Sequence, residues 1–99
     1  MNYQVVVSAP AHNDLVDVRS WVAAEATIEV AERYIDRITS RFERLAYFPN
    51  RGTPRPDLAP GIRTIPFERR LLIAFSVEGD LVTILRVVDA SRDLTRVFS

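Results

Sequence analysis

The stretch "RLLIAFSVEGDLVTILRVV", residues 70–88, decides the fold. In its first arm, residues 70–77, Leu71, Ile73, Phe75 and Val77 alternate with Leu72, Ala74 and Ser76. Alternation with period two is the pattern of a β-strand. "EGD", residues 78–80, reads as a tight hairpin turn. The second arm, residues 81–88, puts Val82, Ile84, Arg86 and Val88 on one face. Leu81, Thr83, Leu85 and Val87 lie on the other. Both faces are too apolar for one to stand in water. A layer of helices must cover one face, and the chain or a partner must cover the other.

Just upstream, "IRTIPF" (62–67) reads as a further strand, with Pro66 placing it at an edge or a strand end. "FERRL" (67–71) is then a short connection without the glycine that eases such turns. Before it, "PNRGTPRPDLAPG" (49–61) holds four of the six prolines and two of the three glycines. It reads as a long ordered loop with no regular element.

The helical layer comes earlier. Ser8 is an N-cap and Pro10 sits in the first turn of a helix, where a missing N–H costs nothing. Ala11, Leu15, Val18 and Val22 form its apolar stripe, and Asp14 suits the helix dipole. The helix ends near Ala24–Glu25, and Thr27 caps a second. There Ala31, Ile35, Ile38, Phe42 and Leu45 repeat at helical spacing. Glu29, Glu32, Arg33, Asp36, Arg37, Arg41 and Glu43 make the solvated face, with Glu29–Arg33 in favourable i,i+4 order. Tyr34 belongs to the core or hairpin seam, and Trp21 to hairpin packing. "YQVVVS" (3–8) supplies an opening strand. The order is β-α-α-β-β-β, an α+β fold with a helical hairpin on a largely antiparallel four-stranded sheet.

Composition bounds the function. The 99 residues suit one domain, 1–99, and 47% hydrophobic with 26% charged residues is ordinary for a soluble protein. No apolar run reaches membrane-spanning length, and the start lacks the features of a signal peptide, so a cytoplasmic protein is expected. Without cysteine there are no disulfides and no thiolate metal ligands. One histidine and scattered carboxylates give no metal spacing, and no glycine-rich phosphate loop is present, so no cofactor is expected. All 13 cationic side chains are arginine, which binds phosphate and carboxylate but is a poor proton donor. Residues 49–72 carry five of them against Asp57 and Glu68, a local +3. That is too modest for dedicated, sequence-specific DNA binding.

Several segments together carry a family likeness. The order "YQVVVSAPAHNDLVDVRSWV", "AERYIDRITSRFERLAYFPNRGTPRPDL", "GIRTIPFERRLLIAFSV" and "ILRVVDASRD" resembles the ParE/RelE superfamily of toxins from type II toxin–antitoxin systems, nearer the ParE branch. The most specific pieces are Phe48-Pro49 with Gly52, Arg63 after Gly61, and the close from Arg86 to Asp93. The resemblance implies a toxin neutralised by a ParD-like antitoxin in a hetero-oligomer. ParE-type toxins inhibit DNA gyrase, whereas RelE-type relatives cut mRNA on the ribosome.

Residue chemistry separates these two activities. RNA cleavage through the 2′-hydroxyl needs a base, an acid and cations for the phosphorane. This chain has no lysine, its one histidine is His12, and no tyrosine follows Tyr47. Asp89 stands where many relatives carry histidine. Gyrase inhibition by binding is therefore the expected function. The alternatives are a ribosome-dependent endonuclease and a non-toxic module that binds antitoxin.

Arg63, Arg69, Arg70, Arg86, Asp89 and Arg92 are the candidate target-binding residues. The plainer reading of Asp89, Arg92 and Asp93 is an ion-paired strand end. Trp21, Leu81, Leu85, Val97 and Phe98 are candidates for antitoxin binding or packing.

Overall fold

The computed structural model describes residues 2–98. Its elements run β1 (Gln4–Val7), α1 (Ala9–Glu25), α2 (Ile28–Leu45), β2 (Thr53–Pro54), β3 (Ile62–Phe67), β4 (Leu71–Glu78), β5 (Leu81–Asp89) and α3 (Leu94–Val97). The strands form one sheet in the order β1-β5-β4-β3-β2. β1 pairs parallel to β5, and every other pair is antiparallel.

The predicted caps are in place. Ser8 accepts from the Ala11 N–H, and Thr27 accepts from the Val30 N–H. The two amphipathic helices form the hairpin and lay their stripes on the sheet. Ala11, Leu15 and Val22 meet Ala31, Ile38, Phe42 and Leu45 over Ile65, Phe67, Ile73, Phe75, Val82 and Ile84. Tyr34 is buried here too, edge-on to Phe67 at 5.5 Å between centroids. Arg19 of α1 donates to Glu32 of α2 at 2.7 Å. The expected Glu29–Arg33 pair is not among the ion pairs of the described residues.

Four expectations need correction. The sheet has five strands, not four, because the 49–61 loop contains β2. Gly52 makes this possible: it has φ +81°, and a Cβ there would lie 2.3 Å from the Thr64 carbonyl oxygen. The chain can therefore press flat against β3, pairing Thr53 with Thr64. β2 reaches only Arg63 and Thr64, so Pro66 sits where β3 has no partner on that side.

Second, the strict alternation along β5 fails. Ala74 pairs with Arg86 but Phe75 pairs with Ile84, leaving Leu85 as the extra residue of a bulge. Val87 consequently joins Val82 and Ile84 in the helix-side core. Val88 is also buried but stands outside that cluster, as do Ile62, Ala74 and Leu94.

Third, the tail contributes Leu94, 3% exposed, as its buried anchor, whereas Val97 and Phe98 are only partly buried. Fourth, Trp21 is not packed into the hairpin: it is 47% exposed.

The glycine-free connection between β3 and β4 is met by force. Glu68 and Arg69 both take positive φ, at 48° and 63°. Such turns normally use asparagine and glycine. Glu68 is held from outside by a bidentate pair with Arg37, at 2.8 and 3.1 Å.

Candidate functional site

The bulge in β5 sets up the site. β1 covers β5 only as far as Ile84. Beyond that point the free edge of β5 is met by the start of α1. Ser8 Oγ donates to the Leu85 carbonyl at 3.1 Å. Asp14 accepts from the Val87 N–H at 2.9 Å and takes a bidentate pair from Arg86, at 2.7 and 2.9 Å. One carboxylate thus satisfies a backbone donor on the strand edge and a half-buried guanidinium. The bond to Asp14 pushes the guanidinium pKa up, so Arg86 is permanently charged and committed to Asp14.

In front of this pair lies a cleft of about 290 Å³. Asp14, Asp17, Val18 and Trp21 line it from α1, Tyr34 from α2, and Arg70, Val88, Asp89 and Arg92 from the sheet and the turn beyond. The Arg70 guanidinium lies 4.7 Å from the centre of the Trp21 ring, a cation–π contact. It is brought there by the β3–β4 turn, and the Ala90 N–H fixes the Arg70 carbonyl at 2.8 Å.

Asp89 and Asp93 shape the turn that carries Arg92. Asp89 accepts from the Ser91 hydroxyl at 2.5 Å and the Ser91 N–H at 2.8 Å. Those bonds, helped by the charges of Arg70 and Arg92, hold its pKa below the ordinary carboxylate value. Asp93 caps α3, and its pKa is lowered by the Thr95 hydroxyl and then the Thr95 N–H. The expected ion-paired strand end is therefore a pair of carboxylate-closed turns: neither residue is in a salt bridge among the described residues.

The sequence-predicted residues separate into groups. Arg70, Asp89, Arg92 and Trp21 come together in the cleft. Arg86 lies behind it, bound to Asp14. Arg63 lines a different depression with Asn50, Gly61 and Val77, and donates to the Asn50 and Arg51 carbonyls at 2.8 and 2.9 Å. It ties down the 49–61 loop. Arg69 is exposed in the strained turn, and Leu81 and Leu85 are half-buried. Asp14, Asp17 and Val18 were not among the candidate site residues. With Trp21 they stand at helical spacing on α1, Val18 within its apolar stripe and the others beside it, and that spacing was the available signal.

The cleft is built to bind. An aromatic face, two arginines, three carboxylates and a small apolar floor can grip a protein surface of mixed charge. Burial, followed by the charge of Glu68, pushes the Tyr34 phenol pKa up, so it keeps its proton. Among the described residues there is no cluster of three or more metal-ligating side chains, and no helix is long and apolar enough to cross a membrane.

The family model described as "ParE toxin of type II toxin-antitoxin system, parDE" matches residues 5–94. The chain belongs to the ParE toxin family. Toxin ParE3 of Caulobacter vibrioides is 34% identical over 91 residues, covering 92% of this chain and 90% of that one. A solved structure, the chromosomal ParDE toxin–antitoxin system from P. aeruginosa, matches at TM-score 0.77 and 26% identity, covering 88% of this chain and 95% of that one. These likenesses favour the ParE branch over RelE, and a ParE toxin works within a ParDE pair.

Proposed function

We propose that this ParE toxin inhibits DNA gyrase by binding it, without bond chemistry of its own, and that a ParD-like antitoxin neutralises it. One observation carries the reading: the carboxylates and arginines of the cleft are arranged to hold surfaces together, not to move protons. Asp14 is committed to Arg86 and Val87, Asp89 is occupied by the Ser91 hydroxyl and N–H, which lower its pKa and make it a poorer base, and Arg70 lies over the Trp21 ring. Trp21 and Arg70 are residue types that dominate binding energy at interfaces.

Gyrase with ATP and relaxed plasmid tests this directly. Antitoxin-free chain should abolish supercoiling or accumulate cleaved plasmid. Trp21→Ala and Arg70→Ala should each weaken inhibition by about tenfold, the effect of losing a modest hot spot. Normal supercoiling at excess toxin would overturn the proposal. Discrete ribosome-dependent cuts in mRNA after induction would replace it with the endonuclease reading.

A further inference from the structure

A second polar surface lies away from the Trp21 cleft, and its chemistry is different. Arg33, Arg37, Arg41 and Arg44 fall at spacings of four, four and three along α2, so they share one strip of the helix. Glu29, Glu32, Asp36 and Glu43 fall on an adjoining strip. The C-terminal end of the arginine strip opens into a cleft of about 260 Å³ between α2, the following loop and β3. Arg41, Arg44 and Arg51 line it with Leu45, Gly52, Ile65 and Pro66, and no carboxylate is present. Among the described residues none of these three arginines is in an ion pair. A neighbouring depression of about 290 Å³ shares Arg41 and Arg44 but is also lined by Asp36 and by Glu68, which holds Arg37, so the acid-free part of the surface is the first cleft alone.

Aromatic rings stand at the same end. Tyr47 is 61% exposed and Phe48 is 58% exposed. The Arg51 guanidinium sits 5.1 Å from the centre of the Phe48 ring. Phe48 is thereby tied to the cleft through Arg51, and Tyr47 precedes it just past the end of α2. An acid-free arginine cleft beside exposed aromatic faces is what a single-stranded nucleic acid requires. The arginines neutralise backbone phosphates, and the rings stack with bases irrespective of sequence.

We infer that the C-terminal end of α2 and the loop that follows it, with Arg41, Arg44, Tyr47, Phe48 and Arg51, bind single-stranded nucleic acid through its phosphates and unstacked bases. The site does not depend on the gyrase reading. An acidic peptide would be attracted by the same charge, and a polyglutamate comparison separates it from a nucleic acid.

Fluorescence anisotropy of a labelled oligothymidylate with the full antitoxin-free chain tests the inference. Binding at about 50 mM salt is expected to weaken towards about 200 mM with a log–log slope of about −2, as three neutralised phosphates on a single strand require. Arg41→Gln, Arg44→Gln and Arg51→Gln combined should weaken binding at least tenfold, and Tyr47→Ala with Phe48→Ala should weaken it by a further separable factor. The single Arg51→Gln change guards against misfolding of the triple variant, because its side chain stacks only on an exposed ring; an unchanged melting curve with weakened binding supports the site. No binding at low salt, equal binding by the triple variant, or equally tight binding of polyglutamate would overturn it. An RNA oligomer binding as well as DNA supports it, because the proposed contacts are to phosphate and base faces.

Discussion

At the scale of single residues, Asp14 is the hinge of the candidate site. Its two oxygens receive two guanidinium bonds and one backbone bond. Asp14→Ala would leave Arg86 charged and half-buried, and would orphan the Val87 N–H. Together these should cost about 2–4 kcal/mol, measured as a fall in the urea midpoint. Arg86→Ala should lose a comparable amount. Any loss of toxicity in that variant should track the unfolded fraction, because the side chain faces Asp14 and not a target. A toxicity loss at full stability would show a direct contact instead. Arg86→Lys should not restore the wild-type stability, since an ammonium cannot make the paired bonds that the guanidinium makes.

At the scale of elements, two turns hold the molecule's unusual backbone. Gly52 is the simpler case. A Cβ at that position would collide with the Thr64 carbonyl and Ile65 Cγ2, the latter at 2.5 Å. The positive φ adds to the strain. Gly52→Ala should therefore detach β2 from β3 and lower stability by more than about 2 kcal/mol, seen in thermal melts and in faster amide exchange at Arg55, whose N–H bonds the Ile62 carbonyl. The β3–β4 turn predicts the opposite sign. Arg69 is a non-glycine residue at φ 63°. Arg69→Gly should raise stability by about 0.5–1 kcal/mol in denaturant melts, and an unchanged or lower midpoint would contradict the strain. The missing glycine in "FERRL" was legible in the sequence, but the strained solution was not, because Arg37 reaches the turn from α2. The same distinction holds across the fold. Caps at Ser8 and Thr27 and the stripes of both helices are local patterns, and they could be read directly. The β5 bulge is a register shift against β4 that the apolar alternation does not mark, and the Asp14–Arg86 pair joins residues 72 positions apart, so spacing along the chain could not reveal either. The helix-side packing of Trp21 failed for a related reason: its neighbour Arg70 arrives from the sheet.

At the scale of the whole molecule, a formal charge of zero hides segregation. Exposed carboxylates are spent on local partners: Asp57 on Arg55, Glu68 on Arg37, Asp89 on Ser91 and Asp93 on Thr95. All four have pKa values lowered in the folded state, chiefly by those side-chain hydrogen bonds. A lowered folded-state pKa gives stability that is complete above the unfolded carboxylate range, about 4, and is lost as pH falls through the folded values. The melting temperature should therefore change little from these groups between about pH 5 and pH 7 and fall below about pH 4. Glu68→Gln should flatten part of that fall, measured by differential scanning calorimetry across the acid range. A melting temperature that rises on acidification would contradict the assignment.

The parallel pairing of β1 with β5 also sets the order of assembly. The first strand of the chain can find its partner only when the last strand exists, since Gln4 pairs with Leu81 and Ser8 bonds Leu85 across 77 residues. The helical hairpin can close on its own during synthesis, whereas the sheet must wait for nearly the full length and pay a late, long-range loop closure. Until then the edge that Asp14 will cap and the cleft beside it have no floor. A growing chain thus lacks the part of the cleft that Val88, Asp89 and Arg92 supply, and a chain cut short before β5 never forms it.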